Sequence, residues 1–103
     1  MIELIKKWFT GTAVNYAELV AQGAQIVDVR TKAEFASGHI KGSINIPLQE
    51  LEQGIKKLDF KKPVITCCAS GMRSSAAKNF LKGKGFEQVV NGGGWMGLNR
   101  KLA

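Results

Sequence analysis

The sequence predicts an α/β fold: a central, mostly parallel sheet with helices on both faces, formed by a single domain over residues 1–103. Three observations carry this. Strand-like and helix-like segments alternate along the chain, with no repeats, low-complexity runs or long linker. The strand-like runs are short and β-branched, as strands covered on both faces are. The helix-like runs are bounded by capping residues and glycines. Such alternation implies βα units and therefore a parallel sheet, and a chain of 103 residues has room for one core.

In chain order, residues 1–10 form a short amphipathic segment, with Ile2, Ile5 and Phe9 on one helical face, Leu4 and Trp8 beside it, and Glu3, Lys6 and Lys7 polar. It is expected to pack on the domain, with a partner or membrane surface as the alternative. "NYAELVAQG" reads as a helix capped by Asn15, with Glu18 completing a capping box and Gly23 stopping it. "QIVDVR" is a buried strand. "TKAEFASG" repeats the capping logic with Thr31 and Glu34 and ends at Gly38, and "GSINIP" is a second strand stopped by Pro47.

"LQELEQGIKKL" places Leu48, Leu51, Ile55 and Leu58 at helical spacing and predicts an amphipathic helix despite Gly54. "PVITC" is a third strand, with Pro63 at its first position, where a missing N–H is tolerated. "MRSSAAKNFLKGKG" predicts a helix burying Ala76, Ala77, Phe80 and Leu81 and closing at Gly83 or Gly85. "EQVVNGGGW" is a fourth strand running into a triple-glycine loop, and "WMGLNRKL" a last helix.

Composition narrows the function. Apolar residues make up 45% and charged residues 22%, the balance of an ordinary globular protein. No apolar run approaches the roughly eighteen residues of a membrane span. The first residues lack the apolar core and cleavage site of a secretory signal, so the cytoplasm is expected unless a presequence has been removed. One histidine, His39, and two adjacent cysteines do not supply the spaced ligand pairs of a structural zinc site, and no metal or cofactor is expected. The net charge of +7 draws small anions. No lysine doublet is interleaved with aromatics, so nucleic acid is not an expected partner.

The chemistry concentrates in "ITCCASGMRSS", residues 65–75. Two adjacent cysteines cannot clamp distant parts of the chain, and a bridge between them is strained. They are either core filler or nucleophile. A free cysteine is only about 3% thiolate at neutral pH. Ahead of a helix N-terminus, unpaired N–H groups and the helix dipole favour the anion. The small residues of "ASGM" let the backbone curl its N–H groups inward, with Gly71 supplying the permissive dihedrals. Arg73 can lock the loop against a carboxylate, contact an anionic substrate, or both. Five residues separate Cys67 from Arg73 and four separate Cys68 from it. Alternation along the strand favours Cys68 as the residue facing the loop; a register shift of one favours Cys67.

At this point the sequence resembles the rhodanese family of sulfurtransferases. "VDVRTKAEFASGHIKGSINIP" is similar to its first signature, "PVITCCASGMRSSAA" to its Cys-x-Ser-Gly-x-Arg-Ser active-site segment, and "VVNGGGW" to its late glycine turn before a tryptophan. The resemblance implies a rhodanese-like fold and puts Cys68 on the nucleophile position, with Ala69, Ser70, Gly71, Met72 and Arg73 completing the substrate-binding loop. It implies transfer of a sulfane sulfur from thiosulfate or a similar small anionic donor through a persulfide on Cys68. The acceptor would be a thiol, cyanide or another protein.

Among the matched positions, Asp28 is expected to pair with Arg73, Arg30 to tie strand to helix through Glu34, and His39 and Trp95 to serve as structure. Gly92 to Gly94 are expected to let the chain pass close to the site. Cys67 departs from the aromatic or apolar residue of many relatives; it reads as an inert small hydrophobe, with a resolving thiol as the alternative. Two further readings stand beside this one. In the first, a cysteine-dependent phosphatase uses Cys67 in a seven-residue loop; the second is a rhodanese-fold binding module without activity.

Overall fold

Four short strands, β1 (Gln25–Asp28), β2 (Ile44–Asn45), β3 (Val64–Cys68) and β4 (Val89–Gly94), pair in parallel in the order β2-β1-β3-β4. The structure, a computed structural model, describes residues 14–103. The amphipathic segment read over residues 1–10 lies outside the described residues. The chain steps from β1 outward to β2, then returns to the other side of β1 for β3 and β4. That reversal, between β1 and β3, is where open parallel sheets leave a crevice at their carboxyl ends.

Alternating side chains divide the core in two. Val27, Val64, Cys68 and Val89 join Ile46, Leu51, Ala77, Leu81 and Phe86 on one face, under the helix α4 (Met72–Gly83). Ile26, Ile65, Cys67 and Val90 join Leu19, Ile40 and Leu98 on the other, under α1 (Tyr16–Ala21) and α5 (Trp95–Leu102). Helices therefore cover both faces, and every residue of β3 is buried. A strand covered twice has no polar face to show, which is why its sequence reads as a continuous run rather than an alternation.

Asn15 accepts the Glu18 amide, but the Glu18 side chain does not return the bond of the capping box expected there, whereas Thr31 and Glu34 close a full reciprocal box at the start of α2 (Lys32–Ser37). Gly85, at φ 103°, follows the last turn of α4, whose carbonyls receive the amides of Lys84, Gly85 and Phe86.

Two helical expectations need correction. Residues 48–57 do not form one helix but a tight turn (Leu48–Glu50), the single α-turn α3 (Leu51–Gly54) and a second tight turn (Ile55–Lys57). The apolar stripe still works, since Leu51 and Leu58 are buried while Leu48 and Ile55 pack against the same core. In α4 the buried stripe is Ser74, Ala77 and Leu81; Ala76 is exposed and Phe80 half-buried.

The strand end β1 carries a buried ion pair. Arg30 Nε and Nη2 donate to Asp28 Oδ1 and Oδ2 at 2.9 and 2.7 Å, and both side chains are shielded, at 4% and 0% exposure. The remaining guanidinium donors reach the carbonyls of Glu34 (3.2 Å) and Gly38 (2.7 Å), and the plane lies over the Trp95 ring at 4.7 Å. Arg30 ties strand to helix through Glu34 as expected, by way of the Glu34 carbonyl. The expected pairing of Asp28 with Arg73 is not what the structure shows: Asp28 holds Arg30, and the Glu34 carboxylate holds Arg73. Burial dictates this, because Asp28 sits wholly inside and needs a partner that is also inside.

Candidate active site

Cys68 is the last residue of β3, and α4 begins at Met72. The four residues Cys68–Gly71 must therefore turn the chain sharply. Gly71 does so at φ 107°, a left-handed conformation that strains any residue with a Cβ. The turn aims its amide at the cysteine. Gly71 N–H donates to Cys68 Sγ at 2.9 Å and Ser74 N–H at 3.4 Å, while Ser74 Oγ lies 3.4 Å from the same sulfur.

Gly71 occupies the cap position of α4 and has no side chain to offer. The sulfur takes the place that a capping oxygen would fill, accepting a helix N–H that has no partner inside the helix. Burial by itself pushes the Cys68 thiol up. The Ser74 hydroxyl and amide, with the amides of Gly71 and Ser70, outweigh it, and the net shift is downward.

Cys67 has the opposite fate. Its side chain enters the other core, among Leu19, Ile65, Val90 and Leu98. Burial, reinforced by the neighbouring Asp28 and only partly offset by Arg30, pushes its thiol up to about 12. A thiol held there is no nucleophile near neutral pH. The Cys67 side chain thus lies away from the loop, where Cys67 packs as a small apolar residue of the core.

Arg73 closes the loop from outside. Its Nη1 and Nη2 donate to Glu34 Oε1 and Oε2 at 2.9 and 3.1 Å, a bidentate pair about one-third exposed. Arg73 first, and then the Thr31 amide, hold the Glu34 carboxyl down at about 2. The loop is also closed from the side of β4. Between the pairs Thr66–Asn91 and Cys68–Gly94 the register shifts, so β4 carries one extra residue there. This bulge brings Gly94 so near the loop that a Cβ on it would stand 3.0 Å from the Ala69 carbonyl oxygen. Among the described residues, no three His, Cys, Asp or Glu side chains converge as metal ligands would.

Residues 12–101 match the model of the Rhodanese-like domain family. The chain belongs to this family. It is 38% identical over 74 residues to the thiosulfate sulfurtransferase GlpE of Ectopseudomonas mendocina (strain ymp), a match covering 72% of this chain and 68% of that one. It is 40% identical over 68 residues to the uncharacterized protein YqhL of Bacillus subtilis (strain 168), covering 66% of this chain but only 54% of the relative. Among solved structures, a rhodanese-related protein from Thermoplasma volcanium superposes with a TM-score of 0.71 at 34% identity, covering 88% of this chain and 93% of that one.

In this rhodanese the loop residues Cys68 to Arg73 lie together as the sequence implied, but they do different things. Gly71 and Ser70 present amides to the sulfur, Arg73 turns away to Glu34, and Ala69 and Met72 are exposed, Met72 at 83%. His39 lies on Phe35, ring on ring at 3.7 Å, with Nδ1 bonded to the Phe35 carbonyl at 2.7 Å. Two participants were missed. Ser74 stood in the motif as a helix residue without a role, and Asn91 was passed over as part of a strand. The signal in the sequence is a polar residue directly after the apolar pair Val89 and Val90, where a shielded amide needs polar partners. Its partners are Ser74 Oγ at 2.6 Å, the Gly93 amide at 2.9 Å and the Gly71 carbonyl at 3.3 Å.

Proposed function

We propose that this rhodanese is a sulfurtransferase that carries a sulfane sulfur as a persulfide on Cys68. The observation that carries the reading is the set of donors on one sulfur: Cys68 Sγ, at the carboxyl end of a central strand, receives two backbone N–H groups and faces a buried hydroxyl. The Cys68 thiolate attacks the outer sulfur of thiosulfate or a similar small anionic donor. A sulfur–sulfur bond forms to Cys68, the donor's sulfur–sulfur bond breaks, and sulfite leaves with the electron pair. A thiol, cyanide or a protein thiolate then takes the outer sulfur and returns Cys68 to the thiolate, a two-step covalent cycle.

The same N–H groups that favour the thiolate favour the persulfide anion, and the net charge of +7 favours approach of an anionic donor. Cys68 itself has no exposed surface, while Ala69, Ser70 and Met72 around it are exposed. Attack on the donor therefore follows a small parting of this loop.

Intact mass after incubation with thiosulfate tests the reading. The expected result is one added sulfur, removable by cyanide or reductant, mapped to Cys68, retained by Cys67→Ser and lost in Cys68→Ser. Equal loss in both variants would overturn the assignment. No adduct on a folded chain would leave a binding module without this activity.

A further inference from the structure

Ser74 Oγ carries one proton and has three neighbours able to take it: Asn91 Oδ1 at 2.6 Å, the Gly71 carbonyl at 3.0 Å and Cys68 Sγ at 3.4 Å. The orientation of the Asn91 amide is fixed by its other bonds. The Gly93 N–H can only donate and so faces Oδ1, and the Gly71 carbonyl can only accept and so faces Nδ2. Oδ1 thus points at Ser74 as an acceptor, at the shortest distance of the three. Ser74 is fully buried.

We propose that Asn91 is a positioning residue that competes with the Cys68 sulfur for the Ser74 hydroxyl proton and so sets how readily the thiolate forms. When Cys68 is a thiol, its S–H donates to Ser74 Oγ and Ser74 donates to Asn91 Oδ1. When Cys68 ionises, its proton goes to solvent and the Ser74 hydroxyl swings to the sulfur. Asn91 Oδ1 keeps the Gly93 amide, so neither state strands a buried polar atom. Ionisation nevertheless gives up the 2.6 Å bond, and that loss holds the thiol state in place. The chemical benefit follows from nucleophilicity: a thiolate stabilised too far attacks sulfur more slowly, and the best attacking thiol has a pKa near ambient pH.

The other charged or titratable groups around the sulfur are Cys67 on its own strand and Arg73 at the start of α4, with Asp28, Arg30 and Glu34 behind them. The hydrogen bonds of Arg73 go to Glu34, and those of Arg30 to Asp28, Glu34 and Gly38, leaving the Ser74–Asn91 pair a separate unit.

The inference rests on Cys68 being the nucleophile of the proposed function, and its test needs no sulfur donor, so the two can fail separately. In a Cys67→Ser background, the pH profile of iodoacetamide alkylation reports the Cys68 pKa. Asn91→Leu removes the acceptor and is expected to lower that pKa by about one unit, the scale of one hydrogen bond to a charged group. Asn91→Ala, which adds no bulk, is expected to move it in the same direction if the leucine does not fold. In a Ser74→Ala background, Asn91→Leu is expected to shift nothing. An unchanged or raised pKa in the folded Asn91 variants overturns the proposal. So does a fall that persists without the Ser74 hydroxyl.

Discussion

Selective alkylation of the two adjacent cysteines is the sharpest consequence of their placement. With its thiol at about 12, Cys67 is ionised to about one part in 10⁵ at pH 7. Cys68 lies below its ordinary value of 9.0, so at least about one part in 10² is thiolate at the same pH. The thiolate is the reacting species, so Cys68 should be labelled well over tenfold faster than Cys67 even though the more basic Cys67 thiolate is intrinsically the better nucleophile. Short pulses of iodoacetamide at pH 7, followed by fragment mass spectrometry that separates the adjacent residues, measure this ratio directly. Cys68 labelling should level off at a pH below 9, while Cys67 labelling keeps rising toward 12. In strong urea the two rates should converge, since the fold is what separates them. Comparable rates in the native protein, or faster labelling of Cys67, would refute the reasoning.

Three further outcomes follow from single contacts. The Glu34 carboxyl is depressed to about 2, so its pairing stabilises the fold fully above its unfolded value of about 4.3 and loses that contribution as pH falls through about 2. Urea unfolding of the protein and of Glu34→Gln should therefore differ by a near-constant amount from pH 7 to about 5, by progressively less below that, and converge only below pH 2; a gap undiminished at pH 2 excludes this carboxylate as the cause. Asp28→Ala leaves the Arg30 charge buried without its carboxylate and should cost about 3 kcal/mol or more in chemical denaturation. A loss under about 1 kcal/mol would show that Arg30 escapes to solvent. Gly92→Ala drives a Cβ to within 2.8 Å of Leu98 Cδ2 and 2.9 Å of the Thr66 carbonyl. Because the carbonyl cannot swing aside, stability should fall by about 1 to 3 kcal/mol, and an unchanged melting temperature would contradict this packing of the bulge.

The order of elements, the Thr31 cap and the loop's cysteine were legible because each is written in neighbouring residues. That Asp28 meets Arg30 and not Arg73 was not. All four charges were visible, but which carboxylate meets which guanidinium depends on burial, and that is a property of the assembled sheet. Ala76 was misplaced for a related reason. The buried stripe of α4 runs Ser74, Ala77, Leu81, so a serine takes the inward place in the first turn and Ala76 falls outside the stripe. The Ser74 hydroxyl, with Asn91, escaped notice because its partners lie on different elements, 17 residues apart in the chain. The Leu48–Leu58 stripe predicted the right contacts and the wrong backbone. A broken run of single turns can present the same apolar side chains as a helix, and periodicity does not distinguish them.

Cys67 and Cys68 share a peptide bond, yet the pleat sends their side chains into two different cores. The sheet insulates two chemically identical groups from each other. The one other thiol of the strand cannot swing round to meet Cys68 without undoing the central strand itself, and adjacency in sequence becomes a form of separation.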